Sequence, residues 1–216
     1  MTNEISNRIE AMGLVPVIVI NDAEDAIPLG KALAEGGLPG AEVTFRTAAA
    51  TQAIRAISEK FPAVLVGAGT VLTAQQAKEA ISAGAQFVVA PGFNIRVVDF
   101  CLEQQIPVFP GVCTPTEIEA ALDKALSVLK FFPAEAIGGV SYLTAISAPY
   151  STVRFIPTGG VNAKNLRQYL SLSAVLACGG SWMVSSQLIA AKQFDEITRR
   201  VSEAVNLVKQ VREGLK

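Results

Sequence analysis

One lysine of this chain differs from the others in its surroundings. Lys130 lies in an apolar segment, residues 128–133, whereas the other lysines fall in helical, polar segments. Taking an ammonium group out of water is costly, so a buried lysine tends to lose its proton. A neutral amine attacks a carbonyl carbon and forms a Schiff base. The segment therefore predicts imine chemistry at Lys130. The alternative is a strand lysine whose stem packs while its amine reaches water.

A carboxylate and a guanidinium share a second apolar segment, residues 40–46. Because side chains alternate along a strand, Glu42, Thr44 and Arg46 lie on one face. We expect Arg46 to hold a carboxylate through two parallel hydrogen bonds, and Glu42 to transfer protons at Lys130. The alternative is a structural ion pair between Glu42 and Arg46.

Two glycine-rich segments, residues 157–161 and 177–182, follow the last two apolar runs. Without a Cβ atom, backbone N–H groups approach phosphate oxygens closely. The segments therefore predict a phosphate site, although Gly-Gly pairs also form ordinary turns. Thr158 either binds the same anion or caps the following helix. The candidate ligands are Thr158, Gly159, Gly160, Gly179 and Ser181.

The remaining strand ends carry fewer reactive groups. Thr70 offers a hydroxyl, or is a turn residue before a helix cap, and Pro91 shapes the rim. Cys113 and Cys178 fall near the same rim. No neighbour in the sequence activates either thiol, so both are predicted to be small packed residues.

Short apolar runs alternate with helical segments along the chain, which predicts parallel strands joined by crossover helices. The predicted strands are residues 15–20, 40–46, 63–67, 86–90, 106–109, 127–132, 152–156 and 174–177. Eight such units predict an α/β fold, a (β/α)8 TIM barrel with minimal insertions. A single domain would cover residues 1–216, somewhat fewer than the roughly 250 that are typical. An open doubly wound sheet is the alternative, but no GxGxxG segment follows the first strand.

Helix signals agree with this order. Thr73 and Thr114 have the spacing of helix caps, and Pro115 suits a first helical position. A short helix, Asn3–Ala11, is predicted before the first strand, and a long one, residues 192–211, after the last.

Composition excludes several other chemistries. The chain has no histidine, so a Ser–His–Asp triad and every His-containing metal site are excluded. Three widely spaced cysteines indicate neither a disulfide framework nor a metal site. The net charge of −1 predicts no nucleic-acid partner. An acidic start without a long apolar run predicts no export signal or membrane partner, and with reduced cysteines predicts a cytoplasmic protein.

In this order, the residues resemble those of the 2-keto-3-deoxy-6-phosphogluconate (KDPG) aldolases, class I lyases of the Entner–Doudoroff pathway. Members of that family often also cleave 4-hydroxy-2-oxoglutarate (KHG). The matching motifs extend from the second predicted strand to the eighth. They are Glu42-Val-Thr-Phe-Arg-Thr47, Gly67-Ala-Gly-Thr-Val71, Ala90-Pro-Gly92, Pro110-Gly-Val-Cys-Thr-Pro-Thr-Glu117, Lys130-Phe-Phe-Pro-Ala-Glu135, Pro157-Thr-Gly-Gly-Val161 and Gly179-Gly-Ser-Trp182.

The resemblance implies a role for each motif. Lys130 would form the Schiff base with the 2-keto group, and Glu42 would be the general acid and base. Arg46 and Thr70 would hold the pyruvyl carboxylate, with Pro91 lining that end. Thr158, Gly159, Gly160, Gly179 and Ser181 would hold the 6-phosphate.

The same resemblance implies the products pyruvate and D-glyceraldehyde 3-phosphate, no metal or other cofactor, and a homotrimer. An aldolase for the galactonate-derived stereoisomer is the nearest alternative. A phosphosugar isomerase or epimerase and a non-catalytic phosphosugar-binding barrel are more distant ones. Neither of these last two explains an amine inside an apolar strand.

Overall fold

The computed structural model describes residues 2–214, with side chains from residue 4 onward. In that part of the chain, nine short strands alternate with ten α-helices. The strands are β1 (Leu14–Ile18), β2 (Gly40–Thr44), β3 (Leu65–Gly69), β4 (Phe87–Val89), β5 (Val108–Phe109), β6 (Gly111–Val112), β7 (Val128–Phe131), β8 (Arg154–Pro157) and β9 (Cys178–Gly180). The helices are α1 (Thr2–Met12), α2 (Ala26–Glu35), α3 (Ala50–Lys60), α4 (Ala74–Ser82), α5 (Ile95–Glu103), α6 (Pro115–Leu122), α7 (Gly139–Ser147), α8 (Leu166–Leu170), α9 (Ser186–Ala190) and α10 (Phe194–Glu213).

The strands form two parallel sheets. One has six strands in the order β5-β4-β3-β2-β1-β9, and the other has three in the order β6-β7-β8. β5 and β6 together replace the predicted fifth strand, and only Pro110 separates them. Proline has no N–H to donate to a ladder, which accounts for an interruption at this residue. The α/β class and the strand–helix alternation are confirmed.

The last strand differs most from its prediction. Val175 and Thr158 make isolated parallel bridges, to Phe155 and Gly179 respectively. Continuous pairing begins only at Cys178, where β9 pairs with Leu14–Pro16 of β1. The glycines that the sequence assigned to a turn therefore lie inside a strand. The adjacent side chains require them: a Cβ at Gly179 would overlap the side chain of Thr158.

Each sheet has two buried faces. One face packs against the helices in a large apolar layer that contains Val43, Leu129 and Phe131. The opposite, inner face and two residues of α1, Ile5 and Ile9, form a smaller apolar cluster. Its other members are Val15, Leu65, Phe87, Val89, Phe109, Ile156, Leu176 and Ala177. Side chains alternate between the two faces along a strand. The polar residues that lie beside Val43 and Leu129 in sequence therefore point to the inner face.

Helix boundaries follow the predicted caps closely. The hydroxyl of Thr73 accepts a hydrogen bond from the N–H of Gln76 at 3.1 Å, and Thr114 forms a capping box with Glu117. α6 ends at Leu122, and Ala125 beyond it has a φ of 56°. None of the helices in residues 2–214 combines the length and the apolar composition that crossing a membrane requires.

Candidate active site

The Lys130 amine and the Glu42 carboxylate meet across the inner face. Lys130 belongs to β7 and Glu42 to β2, so the contact joins the two sheets. The distance from Nζ to Oε1 is 3.2 Å. The two residues are 5% and 3% exposed, so their interaction is only weakly screened by water. Burial of Lys130 and its proximity to Glu42 are as predicted.

A small cavity of about 10 Å³ lies beside this pair. Most of its lining is apolar, and the exceptions are Glu42, Lys130 and the hydroxyl-bearing Thr158. The amine also lies over the ring of Phe132, with Nζ 5.3 Å from the ring centre. An aromatic face at this distance attracts the ammonium form. The amine therefore contacts both a carboxylate and an aromatic ring.

Arg46 departs from its predicted position. β2 ends at Thr44, and Arg46 lies exposed in the following turn rather than on the inner face of the strand. The predicted alternative of a Glu42–Arg46 ion pair is wrong for the described structure, in which Glu42 pairs with Lys130. Arg46 instead donates from Nε to the hydroxyl of Thr70 at 3.4 Å. Its exposed guanidinium is thus available to an anion at the carboxyl ends of β2 and β3.

Thr70 and Pro91 follow neighbouring strands at this same edge. Thr70 comes directly after β3, and Pro91 is two residues beyond β4. A Cβ at Gly111 would overlap the carbonyl of Pro91, so the turn after β4 packs tightly against β6. The three predicted carboxylate-site residues therefore follow three adjacent strands, β2, β3 and β4.

The glycines that follow β8 form a partly exposed turn. Gly159 and Gly160 have φ angles of 98° and 86°, a conformation that favours glycine. Ser181 is exposed immediately after β9. The bridge between Thr158 and Gly179 holds these two segments side by side. The two predicted phosphate-binding segments are thus adjacent, and Gly179 itself is buried in β9.

Thr158 differs from the other predicted phosphate ligands. It is 6% exposed, and its hydroxyl donates to the carbonyl of Ile156 at 3.3 Å. Its side chain lines the small cavity beside Lys130. Thr158 therefore lies at the cavity that Glu42 and Lys130 also line, and its hydroxyl is bonded within its own segment.

Two positioning contacts were not anticipated from the sequence. The hydroxyl of Tyr169 donates to the carboxylate of Glu135, 34 residues away in the chain. Glu135 in turn donates its backbone N–H to the carbonyl of Gly159 at 3.0 Å. Burial, the hydrogen bond to Glu135 and the charge of Glu135 all raise the pKa of Tyr169, so its hydroxyl remains a donor. The Glu135 motif was visible in the sequence, but its partner was not.

The cysteines carry no sign of activation. Burial raises the pKa of Cys101 to about 12. Burial also raises the pKa of Cys178, and burial together with Glu117 raises that of Cys113. A raised thiol pKa opposes formation of the nucleophilic thiolate. Across residues 2–214, no group of three or more Cys, Asp or Glu side chains is arranged to hold a metal ion.

A wider groove of about 550 Å³ lies at the opposite, amino ends of the strands. It is lined by residues that precede β5 and β7, such as Gln105 and Ser127, and by Asn7 of α1. It contains none of the residues predicted to take part in the chemistry. The carboxyl ends of the strands, with Lys130 and Glu42 beneath them, therefore form the candidate active site.

Comparisons with known proteins agree with this geometry. A family model described as "Aldolase: KDPG and KHG aldolase" matches residues 5–200. The 2-dehydro-3-deoxy-phosphogluconate aldolase of Treponema pallidum is 50% identical over 204 residues, 94% of this chain and 97% of that protein. The KHG/KDPG aldolase of Escherichia coli K12 is 48% identical over 192 residues, 89% of this chain and 90% of that protein.

A solved structure adds a chemical detail. The KDPG aldolase of Legionella pneumophila superposes with a TM-score of 0.89 at 39% identity, covering 92% of this chain and 97% of that one. That crystal structure contains pyruvate captured at low pH as a covalent carbinolamine intermediate. The fold and these matches define an aldolase of the carbon–carbon lyase class. The chain belongs to the KDPG and KHG aldolase family.

Proposed function

We propose that this chain is a class I aldolase that cleaves KDPG to pyruvate and D-glyceraldehyde 3-phosphate through a Schiff base on Lys130. The observation that carries the proposal is the buried contact of 3.2 Å between Lys130 Nζ and Glu42 Oε1. An amine next to a proton-transferring carboxylate is what imine formation requires. Membership of the KDPG and KHG aldolase family supports the same activity.

In the forward direction, Lys130 first passes a proton to Glu42, and the neutral amine then adds to the 2-keto carbon and forms a carbinolamine. Glu42 donates a proton to the departing hydroxyl, water leaves, and a protonated imine remains. A base then removes the proton of the C4 hydroxyl, the C3–C4 bond breaks, and its electron pair moves to the iminium nitrogen. Glyceraldehyde 3-phosphate departs, and protonation of the enamine at C3 followed by hydrolysis releases pyruvate and the free amine.

Glu42 is our choice for each proton transfer. Its side chain is buried beside Lys130, and among the residues described its salt-bridge partner is that lysine. Once the amine becomes an imine, the carboxylate remains within reach of the adjacent carbon atoms. A positioned general acid and base contributes about 10²–10⁴ in rate.

The substrate ends follow from the arrangement of the turns. Arg46 and Thr70 bind the pyruvyl carboxylate, and Pro91 lines that end. Gly159, Gly160, Gly179 and Ser181 bind the 6-phosphate, with Thr158 below them at the reacting end. Glycine N–H groups and one hydroxyl suit a phosphate, whereas a guanidinium suits a carboxylate.

We propose KHG as a second substrate, cleaved to pyruvate and glyoxylate. KHG shares the 2-keto acid end that Lys130, Arg46 and Thr70 would bind, and it has no phosphate. The family description that names both substrates supports this extension. No metal or other cofactor enters either reaction, because the iminium group withdraws the electrons.

The architecture that fits this chemistry is a closed (β/α)8 barrel forming one domain. The Lys130–Glu42 contact between the two sheets, the single residue between β5 and β6, and the bridge from Thr158 to Gly179 support closure. We further propose a homotrimer in the cytoplasm, the assembly and compartment that the resemblance implies.

The test is to trap the imine. The full chain is incubated with pyruvate and borohydride, and then intact mass and peptide mapping locate any reduced adduct. A single adduct on Lys130, absent in Lys130→Met and present in Lys31→Met, is expected. A folded chain that gives no adduct, or an adduct on a different lysine, would overturn the proposal. Turnover of KDPG, of its galactonate-derived stereoisomer and of KHG then defines the substrate range.

A further inference from the structure

The residue after β3 has an unusual backbone. Thr70 has a φ of 54°, in the left-handed region. Among the described residues other than glycine, Gln105, Ala125 and Lys192 share this sign, and none of them is β-branched. A β-branched side chain is a genuine outlier there, and such outliers persist only where the surroundings over-determine them.

The backbone on both sides of Thr70 is held by hydrogen bonds. The carbonyl of Gly69 accepts from the N–H of Phe45 at 2.8 Å. The N–H of Val71 donates to the carbonyl of Val89 at 3.2 Å. These bonds tie the turn to the residue that follows β2 and to the last residue of β4. They do not fix the residue beyond the turn, Leu72, which is 51% exposed.

Two amide side chains hold Leu72 instead. The N–H of Leu72 donates to Oε1 of Gln76 at 2.8 Å. Its carbonyl accepts from Nδ2 of Asn94 at 2.9 Å. Gln76 belongs to α4, and Asn94 precedes α5, so the two contacts come from successive helices. Both backbone groups of an exposed residue are thus bonded to side chains rather than left to water.

We infer that Gln76 and Asn94 are positioning residues for the carboxylate end of the substrate. By fixing Leu72, they hold Thr70 in its left-handed conformation, with its hydroxyl 3.4 Å from Nε of Arg46. Loss of either contact lets the turn relax and moves the hydroxyl away from Arg46. This inference rests on the proposed function, since it assumes that Arg46 and Thr70 bind the pyruvyl carboxylate.

Asn94→Ser is the informative substitution. Asn94 also accepts from the N–H of Arg96 at 3.0 Å as the cap of α5. Serine caps a helix equally well, but its shorter side chain does not reach Leu72. The readout is the pyruvate concentration that half-saturates borohydride trapping at Lys130. We expect Asn94→Ser to raise this half-saturating pyruvate concentration about fivefold, which is the effect of losing one hydrogen bond. The trapping rate at saturating pyruvate should not change. Gln76→Met should act alike, while Gln76→Glu keeps the acceptor and should resemble the unaltered chain.

A double-mutant cycle separates positioning from general structural damage. In a Thr70→Gly background the hydroxyl is absent, so Asn94→Ser should add less than about a twofold further change. An equal effect in both backgrounds, or no effect of Asn94→Ser in the unaltered background, overturns the inference. Failure of the unaltered chain to form any adduct overturns the proposed function and this inference together. Normal trapping by the unaltered chain with an unresponsive Asn94→Ser overturns the inference alone.

Discussion

Gly69 provides the space that the Glu42 carboxylate occupies. The two residues lie on adjacent strands, and Gly69 of β3 pairs in register with Thr44, two residues beyond Glu42 on β2. A Cβ atom at Gly69 would overlap Oε1 of Glu42 and come within 2.7 Å of its Cγ. The carboxylate therefore reaches Lys130 over a residue that has no side chain. Gly67, on the same face, gives equivalent space to the ring of Phe87.

The first prediction concerns this packing. Gly69→Ala adds one methyl group, removes no reactive atom, and forces Glu42 out of its place. A displacement of about 1 Å can cost about 100-fold in rate, so we expect a fall of that order in kcat for KDPG cleavage. Steady-state kinetics measure it. At Gly214, a Cβ would make only ordinary contacts, the nearest at 3.4 Å, so Gly214→Ala is the control for a glycine-to-alanine change. A Gly69→Ala enzyme with unaltered kcat would contradict this role.

The burial of Lys130 was predictable because its signal is local. A charged ammonium group stands out within a short run of apolar strand residues, because its burial is costly. The alternation of side chains along a strand likewise places Glu42 on the face opposite to Val43. The contact between them was inferred only because a barrel brings strand ends together. The strand–helix order was equally local, which is why the α/β class is confirmed.

The position of Arg46 was not predictable from alternation alone. The ladder continues one residue beyond β2, where the N–H of Phe45 bonds to Gly69, and the chain then turns. A strand ends where the neighbouring strand offers no further backbone groups for hydrogen bonding, and those groups are remote in sequence. The strand pairing of Gly179 was missed for a related reason. Glycine is required there because Thr158, the residue that follows β8, occupies the space that a side chain would need.

The second prediction distinguishes the phosphate end from the reacting end. Ser181 is exposed beside the glycine turn, whereas Thr158 is buried beside Lys130. A lost hydrogen bond to a charged group costs about 1.5–3 kcal/mol, so Ser181→Ala should raise KM for KDPG about tenfold or more. KM for KHG, which has no phosphate, should not change. Thr158→Val should impair both substrates. Equal losses on both substrates in Ser181→Ala would count against Ser181 as a phosphate ligand.

The third prediction concerns the support of the glycine turn. Tyr169→Phe removes the hydroxyl that donates to the carboxylate of Glu135. The side chain of Glu135 packs against Gly160 so closely that a Cβ atom at Gly160 would lie only 2.6 Å from its Cβ and Cγ atoms. With Glu135 free to move, the turn loses one wall and KM for KDPG should rise about threefold to tenfold. Activity on KHG provides the internal comparison and should remain. Glu135→Gln keeps an acceptor for Tyr169 and serves as the matched variant. An equal loss on KHG would show that Tyr169 supports the fold rather than the phosphate turn.

The last prediction is a pH dependence of stability at the start of α6. One oxygen of Glu117 accepts from the N–H groups of Cys113 and Thr114, at 2.8 and 2.9 Å, and from the hydroxyl of Thr114 at 2.8 Å. Partial burial acts to raise the pKa of Glu117, but these hydrogen bonds outweigh it and lower the pKa below its ordinary value. Because the folded-state pKa is depressed, the contribution of Glu117 to stability is complete above the unfolded value of about 4.3. It is lost as the pH falls through the folded-state pKa.

Glu117→Gln should therefore be less stable than the unaltered chain at pH 7, by about 1 kcal/mol as for other lost helix caps. The difference should shrink below a pH of about 4, as the carboxylate of the unaltered chain takes up its proton. Urea unfolding across this pH range measures both free energies of unfolding. Glu103→Gln, at an exposed position on α5, controls for the loss of one negative charge. A stability difference that stays constant down to pH 3 would mean that the charge of Glu117 does not stabilise this cap. The hydrogen bonds to Cys113 and Thr114 would then contribute equally with a charged or a neutral side chain at position 117.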